Sequence, residues 1–249
     1  PEEVWEDAGR FYDPFRPAIE PDGFASPEEL FASRAVTLAA IRLAVAHAHV
    51  FVFTMGLTES WQNGDSGAEY ATCPGTIAGR FDPARHQFVN HRFSALQSDL
   101  AKAIGLMQAV NSRLNILLTV SPVPLTATAT GQHVLSATSH SKALLRAVAA
   151  EACEGQNRID YFPSYEIITH PVWQGRFFAP NKRSVLPEGV AFVMENFFRD
   201  QAARFGAAPP TIAAPPPAQI PDTDVALSKA DEAEELRCEE EILAAFAPR

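Results

Sequence analysis

Residues 63–70, NGDSGAEY, contain Gly-Asp-Ser-Gly, a run that surrounds the attacking serine in several serine hydrolases. A nucleophilic serine needs a base and an oxyanion donor, both placed by the strand or turn that carries it. Ser66 has neither setting. An esterase serine of this kind leaves the first strand directly and enters a helix, whereas Gly64 lies eight positions beyond Gly56. A protease serine of this kind belongs to an all-β chain, and the pattern here alternates helix with strand. Asn-Gly followed by a second Gly is the chemistry of a tight turn. The stretch is expected to be a turn.

Other reactive side chains are scattered. His47 with His49, or Cys73 with His86 and His91, match no zinc-ligand spacing, so no metal is expected. Cys73, Cys153 and Cys238 form no disulfide framework and suit a reducing, cytoplasmic compartment. His170, in ITHPVW, is either a base beyond the third strand or a residue pushed into an extended conformation by Pro171. His140 is expected at the start of a helix. No G-x-G-x-x-G follows a strand and no P-loop occurs, which leaves nucleotide binding remote and no cofactor expected.

The elements that would position such groups follow from periodicity. Ser26 is a plausible N-cap, with Pro27 at the first helical position and Glu28 and Glu29 in the first turn, for a helix ending near Ala48. HVFVFTMG is a short apolar run suited to a strand buried on both faces. The alternation repeats: RFSALQSDLAKAIGLMQAVNSR is a helix and LNILLTVSPVPL a strand. SHSKALLRAVAAEAC is a helix, RIDYFPSYEI a third strand broken by Pro163, and LPEGVAFVMENFFRDQAARF a last helix. This is an α/β layered domain with a parallel sheet, and chemistry is expected just beyond the carboxyl ends of its strands. Those ends carry Gly56 and Trp61, then Ser121, then Tyr165 and Glu166.

Residues 1–26 are expected to be an irregular covering segment. The folded domain spans 1–206, followed by an Ala/Pro linker over 207–224 and an acidic helical tail over 225–249. The net charge of −10 disfavours nucleic acid and anionic membranes as partners. No apolar run reads as long enough to cross a membrane, and no signal peptide is visible, though a targeting signal ahead of Pro1 stays open.

FVFTMGLTESW, CPG, FDPARHQFVN, LLTVSPVPL, SHSKALLRAVA and YFPSYEI occur in this order. Together they resemble the GSCFA family, a relative of the SGNH/GDSL esterases and acyltransferases, over about residues 1–200. The resemblance implies a flavodoxin-like three-layer α/β/α domain in which a serine attacks an acyl carbonyl and a histidine serves as base. It places the nucleophile in an N-terminal Gly-Ser-Cys-Phe-Ala motif that these residues lack. The chain, which begins at Pro1 without an initiator methionine, is therefore expected to be an inactive fragment without its first strand.

The resemblance also assigns residues. The clan's Gly-x-Asn-Asp falls at Gly56-Leu57-Thr58-Glu59, making Thr58 an oxyanion donor and Glu59 a partner for a histidine or a sugar hydroxyl. The clan's late Asp-x-x-His falls at Asn181–Ser184, where neither residue occurs, so His86 becomes the relocated base with His170 as its alternative. Ser141-Lys142 resembles the family's Ser-Lys pair. It reads as a lysine-activated serine, as a lysine gripping an anionic substituent, or as an N-cap serine with a solvated lysine, the last being preferred. Trp61 can stack on a sugar ring or serve as core. Tyr165 and Glu166 can contact substrate, or Glu166 can pair with Arg158 or Arg176. The expected function is hydrolysis or transfer of an O-acyl ester, of a carbohydrate or other small molecule. The alternative is a non-catalytic binder of a glycan or acyl ligand.

Overall fold

The computed structural model describes residues 2–206; the expected linker and acidic helix lie outside them. In chain order the elements are β1 (Trp5–Asp7), β2 (Arg10–Tyr12), α1 (Pro27–His47), β3 (Val50–Met55), β4 (Glu59–Asn63), β5 (Glu69–Tyr70) and β6 (His86–Asn90). They continue with α2 (Phe93–Val110), β7 (Asn115–Val120), α3 (Val134–Cys153), β8 (Ile159–Tyr161), α4 (Ser164–Thr169), a 3₁₀ turn (Pro171–Trp173) and α5 (Pro187–Phe205). They divide into two compact units. One holds the residues up to Ser121 with Thr128–Phe162, the other Pro122–Ala127 with the described residues from Pro163 on.

In the first unit β3, β7 and β8 form a parallel sheet in that order, with Met55 opposite Val120 and Leu118 opposite Tyr161. With its helices this is the mixed α/β class read from the sequence. β7 is the central strand, and Ile116, Leu118 and Val120 are buried with Leu145, Val148 and Ala149 of α3. Buried carbon surface of this kind is the main stabilising term in a domain. α2 packs against α3 through Leu100 and Ile104. At α1 the Ser26 Oγ accepts from Glu29 N–H at 3.3 Å, the cap read from the sequence.

The structure departs from expectation at several places. The segment before α1 holds the β1–β2 hairpin and the buried Asp13, rather than being irregular. Residues 59–90 build a second, antiparallel sheet in the order β5-β4-β6. Strand β8 ends at Tyr161, because Pro163 stops it and N-caps α4, so Tyr165 and Glu166 lie on a helix and not at a strand end. Helix α3 starts at Val134, with the His133 side chain as N-cap, so His140, Ser141 and Lys142 lie inside the helix.

Strand β3 is not buried on both faces. Val50 and Val52 are 54% and 59% exposed, and β3 pairs with no strand other than β7 among the described residues. Helix α1 likewise exposes Val36, Leu38, Ile41 and Leu43. Over its 21 residues, with a mean hydropathy of 1.3 in its most apolar window, α1 is long and apolar enough to cross a membrane, contrary to the sequence reading.

In the second unit α4 packs on α5. Phe177 is fully buried, with Trp173 and Phe192 rings 5.4 and 5.2 Å from its own.

Candidate active site

The carboxyl ends of β3 and β7 lie side by side, joined by the Ser121 N–H donating to Met55 C=O at 2.9 Å. Beyond Met55 the chain turns through Gly56, Leu57 and Thr58 into β4. Two consecutive residues of α3 hold this turn. Ser141 Oγ accepts from Thr58 N–H at 2.9 Å, and Lys142 Nζ donates to Gly56 C=O at 2.9 Å. Ser141 is 0% and Lys142 1% exposed. The preferred reading of a capping serine with a solvated lysine is therefore replaced by a buried clamp. Burial draws the Lys142 pKa down to about 8. No carboxylate among the described residues forms an ion pair with it.

Thr58 is also buried, and its hydroxyl donates to Asn90 Oδ1 at 2.8 Å. That hydrogen is spent inside the protein. Glu59 accepts from Thr128 Oγ1 at 2.7 Å and from Ala129 N–H at 3.4 Å, so the 128–130 loop fixes its carboxylate. Gly56 has open space beside it: an added Cβ would meet no atom within 4 Å. Its φ lies outside the left-handed region, so Gly56→Ala is expected to raise stability slightly, by about 0.4–1 kcal/mol, through the unfolded chain.

His86 lies apart from this turn. Asn63 faces His86 across β4 and β6, while Glu59 faces Asn90, so His86 stands ~14 Å along the ladder at about 3.4 Å per residue. Its Nδ1 accepts from Asp82 N–H at 3.0 Å, and its ring packs edge-on against Tyr70 at 5.4 Å. Burial holds its pKa below the ordinary value, with Glu3 opposing, so the ring stays neutral at pH 7.

The histidine beside the turn is His91, weighed in the sequence only as a metal ligand. Its N–H donates to Thr58 C=O at 2.8 Å. Its Nε2 lies 2.7 Å from Glu69 Oε1 and 3.1 Å from Ser60 Oγ. Both partners share one ring nitrogen. A nucleophile–base–carboxylate relay needs them on opposite nitrogens, so Ser60, His91 and Glu69 are not such a triad. The signal for His91 was available: it directly follows HQFVN, the run that became β6.

Trp61, on β4, meets Phe81 at 5.2 Å and Phe88 at 5.5 Å, edge-on to both, and is half-buried. Tyr165, Glu166 and His170 belong to the second unit; His170 Nδ1 accepts from Val172 N–H at 3.3 Å and caps the 3₁₀ turn. The slot at 181–184 is a closed turn in which Asn181 Oδ1 accepts from Arg183 and Ser184 N–H.

Ser66 sits in the expected turn. Asn63 Oδ1 accepts from Asp65 and Ser66 N–H, and Gly67 N–H donates to Asn63 C=O at 2.7 Å. Ser66→Ala is expected to change stability by no more than ~0.5 kcal/mol, which chemical denaturation checks.

Among the described residues no three His, Cys, Asp or Glu side chains group closely enough to hold a metal ion. A cleft of about 300 Å³ between α2 and α3, lined by Leu100, Ile104, Val148 and Ile159, opens at the amino end of β8. That is the end of the sheet opposite Gly56 and Ser121.

The GSCFA family matches residues 2–197. The chain belongs to the GSCFA family. Membership makes this a hydrolase-like domain. No curated protein and no solved structure matches the chain.

Proposed function

We propose that this GSCFA domain hydrolyses or transfers an O-acyl ester at the carboxyl ends of β3 and β7. The observation that carries the reading is the turn at Gly56–Thr58, held rigid from beneath by Ser141 and Lys142 and open to solvent above Gly56. Acyl transfer is accelerated most by donors fixed in advance where charge develops, and a clamped turn at a sheet's carboxyl edge supplies such a frame. Glu59, set by Thr128, faces the same turn from β4 and can take a hydroxyl of the alcohol portion.

The attacking serine arrives on a strand that pairs with β3. Three features support this: β3 pairs on one side only among the described residues, its Val50 and Val52 are exposed, and Ser141 is too buried to meet an ester. The carboxyl end of a parallel strand added there would reach Gly56. A second reading, a non-catalytic binder of a glycan or acyl ligand, is favoured by the closed turn at Asn181–Ser184, where no acid or histidine stands.

The assay is p-nitrophenyl acetate hydrolysis by the full product of the reading frame beside residues 1–249. Turnover in the full product, lost when its upstream serine becomes alanine, is the expected result. Two folded but inactive proteins would instead support the binder.

A further inference from the structure

The Gly56–Leu57 peptide offers a donor that neither the sequence nor the family motif points to. Every peptide bond described is trans, so the N–H of Leu57 lies opposite the Gly56 C=O in one plane. Lys142 holds that carbonyl from below, which aims the Leu57 N–H away from α3. Among the described residues neither Leu57 N–H nor Gly56 N–H donates to any protein group, and both residues are exposed. The Thr58 hydroxyl, assigned this role by the motif, is committed to Asn90.

We propose that the Leu57 N–H is the oxyanion donor of this site and that Lys142 is its positioning residue, acting through the shared peptide. A cation on a carbonyl oxygen polarises the amide, so the N–H at its other edge becomes a stronger donor. The same hydrogen bond fixes the direction in which that N–H points. A buried ammonium with one carbonyl partner and no carboxylate is costly to keep, and such groups concentrate at functional sites. Here the cost is explained: Lys142 never touches the acyl group, yet it sets the donor that does. The inference rests on the ester reading above and names its oxyanion contact.

The test separates the two claims. In ¹⁵N-labelled wild-type protein at pH 7, sodium acetate, whose carboxylate mimics the oxyanion, is expected to move the Leu57 amide proton downfield. In Lys142→Met that shift is expected to shrink. The Leu57 resonance should also titrate with a midpoint near pH 8 in the wild type, following Lys142, and not in Lys142→Met. The other ionisable groups near the turn are held by their own partners, Glu59 by Thr128 and His91 by Glu69, and they persist in the variant. Where the full product turns over p-nitrophenyl acetate, Lys142→Met is expected to lose about a hundredfold in kcat with little change in KM. A Leu57 amide indifferent to acetate overturns the proposal, as does a Lys142→Met variant with unchanged shifts or kcat. The resonance measurements need no turnover, so a failed esterase assay beside a responsive Leu57 would sink the ester reading alone.

Discussion

Lys142→Met is expected to make the protein more stable. Lys142 is among the largest fully buried side chains, its ammonium holds one carbonyl, and burial alone lowers its pKa to about 8. Methionine has nearly the same length and fills the same space without a charge to desolvate. Removing an unpaired buried charge relieves its desolvation cost, so a gain on the order of 1 kcal/mol is expected at pH 7 once the lost hydrogen bond to the Gly56 C=O is subtracted. The pH dependence has a definite sign. Between about 8 and the ordinary lysine value of 10.5, the unfolded wild type keeps a proton that the folded form has released. Wild-type stability therefore rises with pH across that window, and the variant's advantage narrows. Urea unfolding at pH 7 and pH 10 measures both effects. A stabilising substitution that also costs activity is the pattern of a strained functional site.

Asp13→Ala has the opposite and larger expected effect. The Asp13 carboxylate is fully buried and accepts from Arg34 at 2.8 and 3.0 Å, from Arg16 at 2.8 Å and from Phe15 N–H at 3.0 Å. Two guanidiniums converge on one carboxylate, and their other contacts bind the N-terminal segment to α1: Arg16 reaches Thr37 and Arg34 reaches the Glu3 C=O. Removing the carboxylate leaves two cations facing each other in a half-buried site. Breaking a buried pair in this way costs about 3–5 kcal/mol, a large share of the ~5–15 kcal/mol that holds a domain together. Burial tends to raise the Asp13 pKa, but hydrogen bonds from Arg34 and Arg16 outweigh it and hold the carboxyl below the usual range. Its stabilising contribution is complete above the ordinary aspartate value and is lost as pH falls through the lowered one. Asp13→Ala should therefore unfold at markedly lower urea near neutrality, and the difference should shrink under strong acid.

The parts legible in the sequence were those set by local chemistry. Ser26-Pro27-Glu28-Glu29 marks the start of α1 because capping involves only neighbours, and Asn63-Gly64 marks a turn because the Asn63 side chain closes it. Long-range partners hid the rest. Reading the start of α3 at Ser139 made Ser141 a cap, whereas the helix begins one and a half turns earlier under the His133 side chain. With that start, Ala137, Ser141, Leu145, Val148 and Ala149 fall on one buried stripe, which would have placed Ser141 in the interior. No local pattern could say that Lys142 beside it turns inward, since its partner is a carbonyl 86 residues away in the chain. The antiparallel sheet was missed for a similar reason: β5 is two residues long and is defined by β4 rather than by its own sequence. Pro163 marks a break in the sequence, but the six residues of α4 after it are too short for a helical period to stand out from a strand.

The measurement closest to the central claim is a crystal structure of the full reading-frame product after reaction with a fluorophosphonate, whose tetrahedral adduct imitates acyl transfer. The expected result is a serine adduct at the carboxyl end of a strand paired to β3, with a phosphonyl oxygen within hydrogen-bond distance of Leu57 N. An adduct on Ser66, or one whose oxygen is held elsewhere, would contradict it.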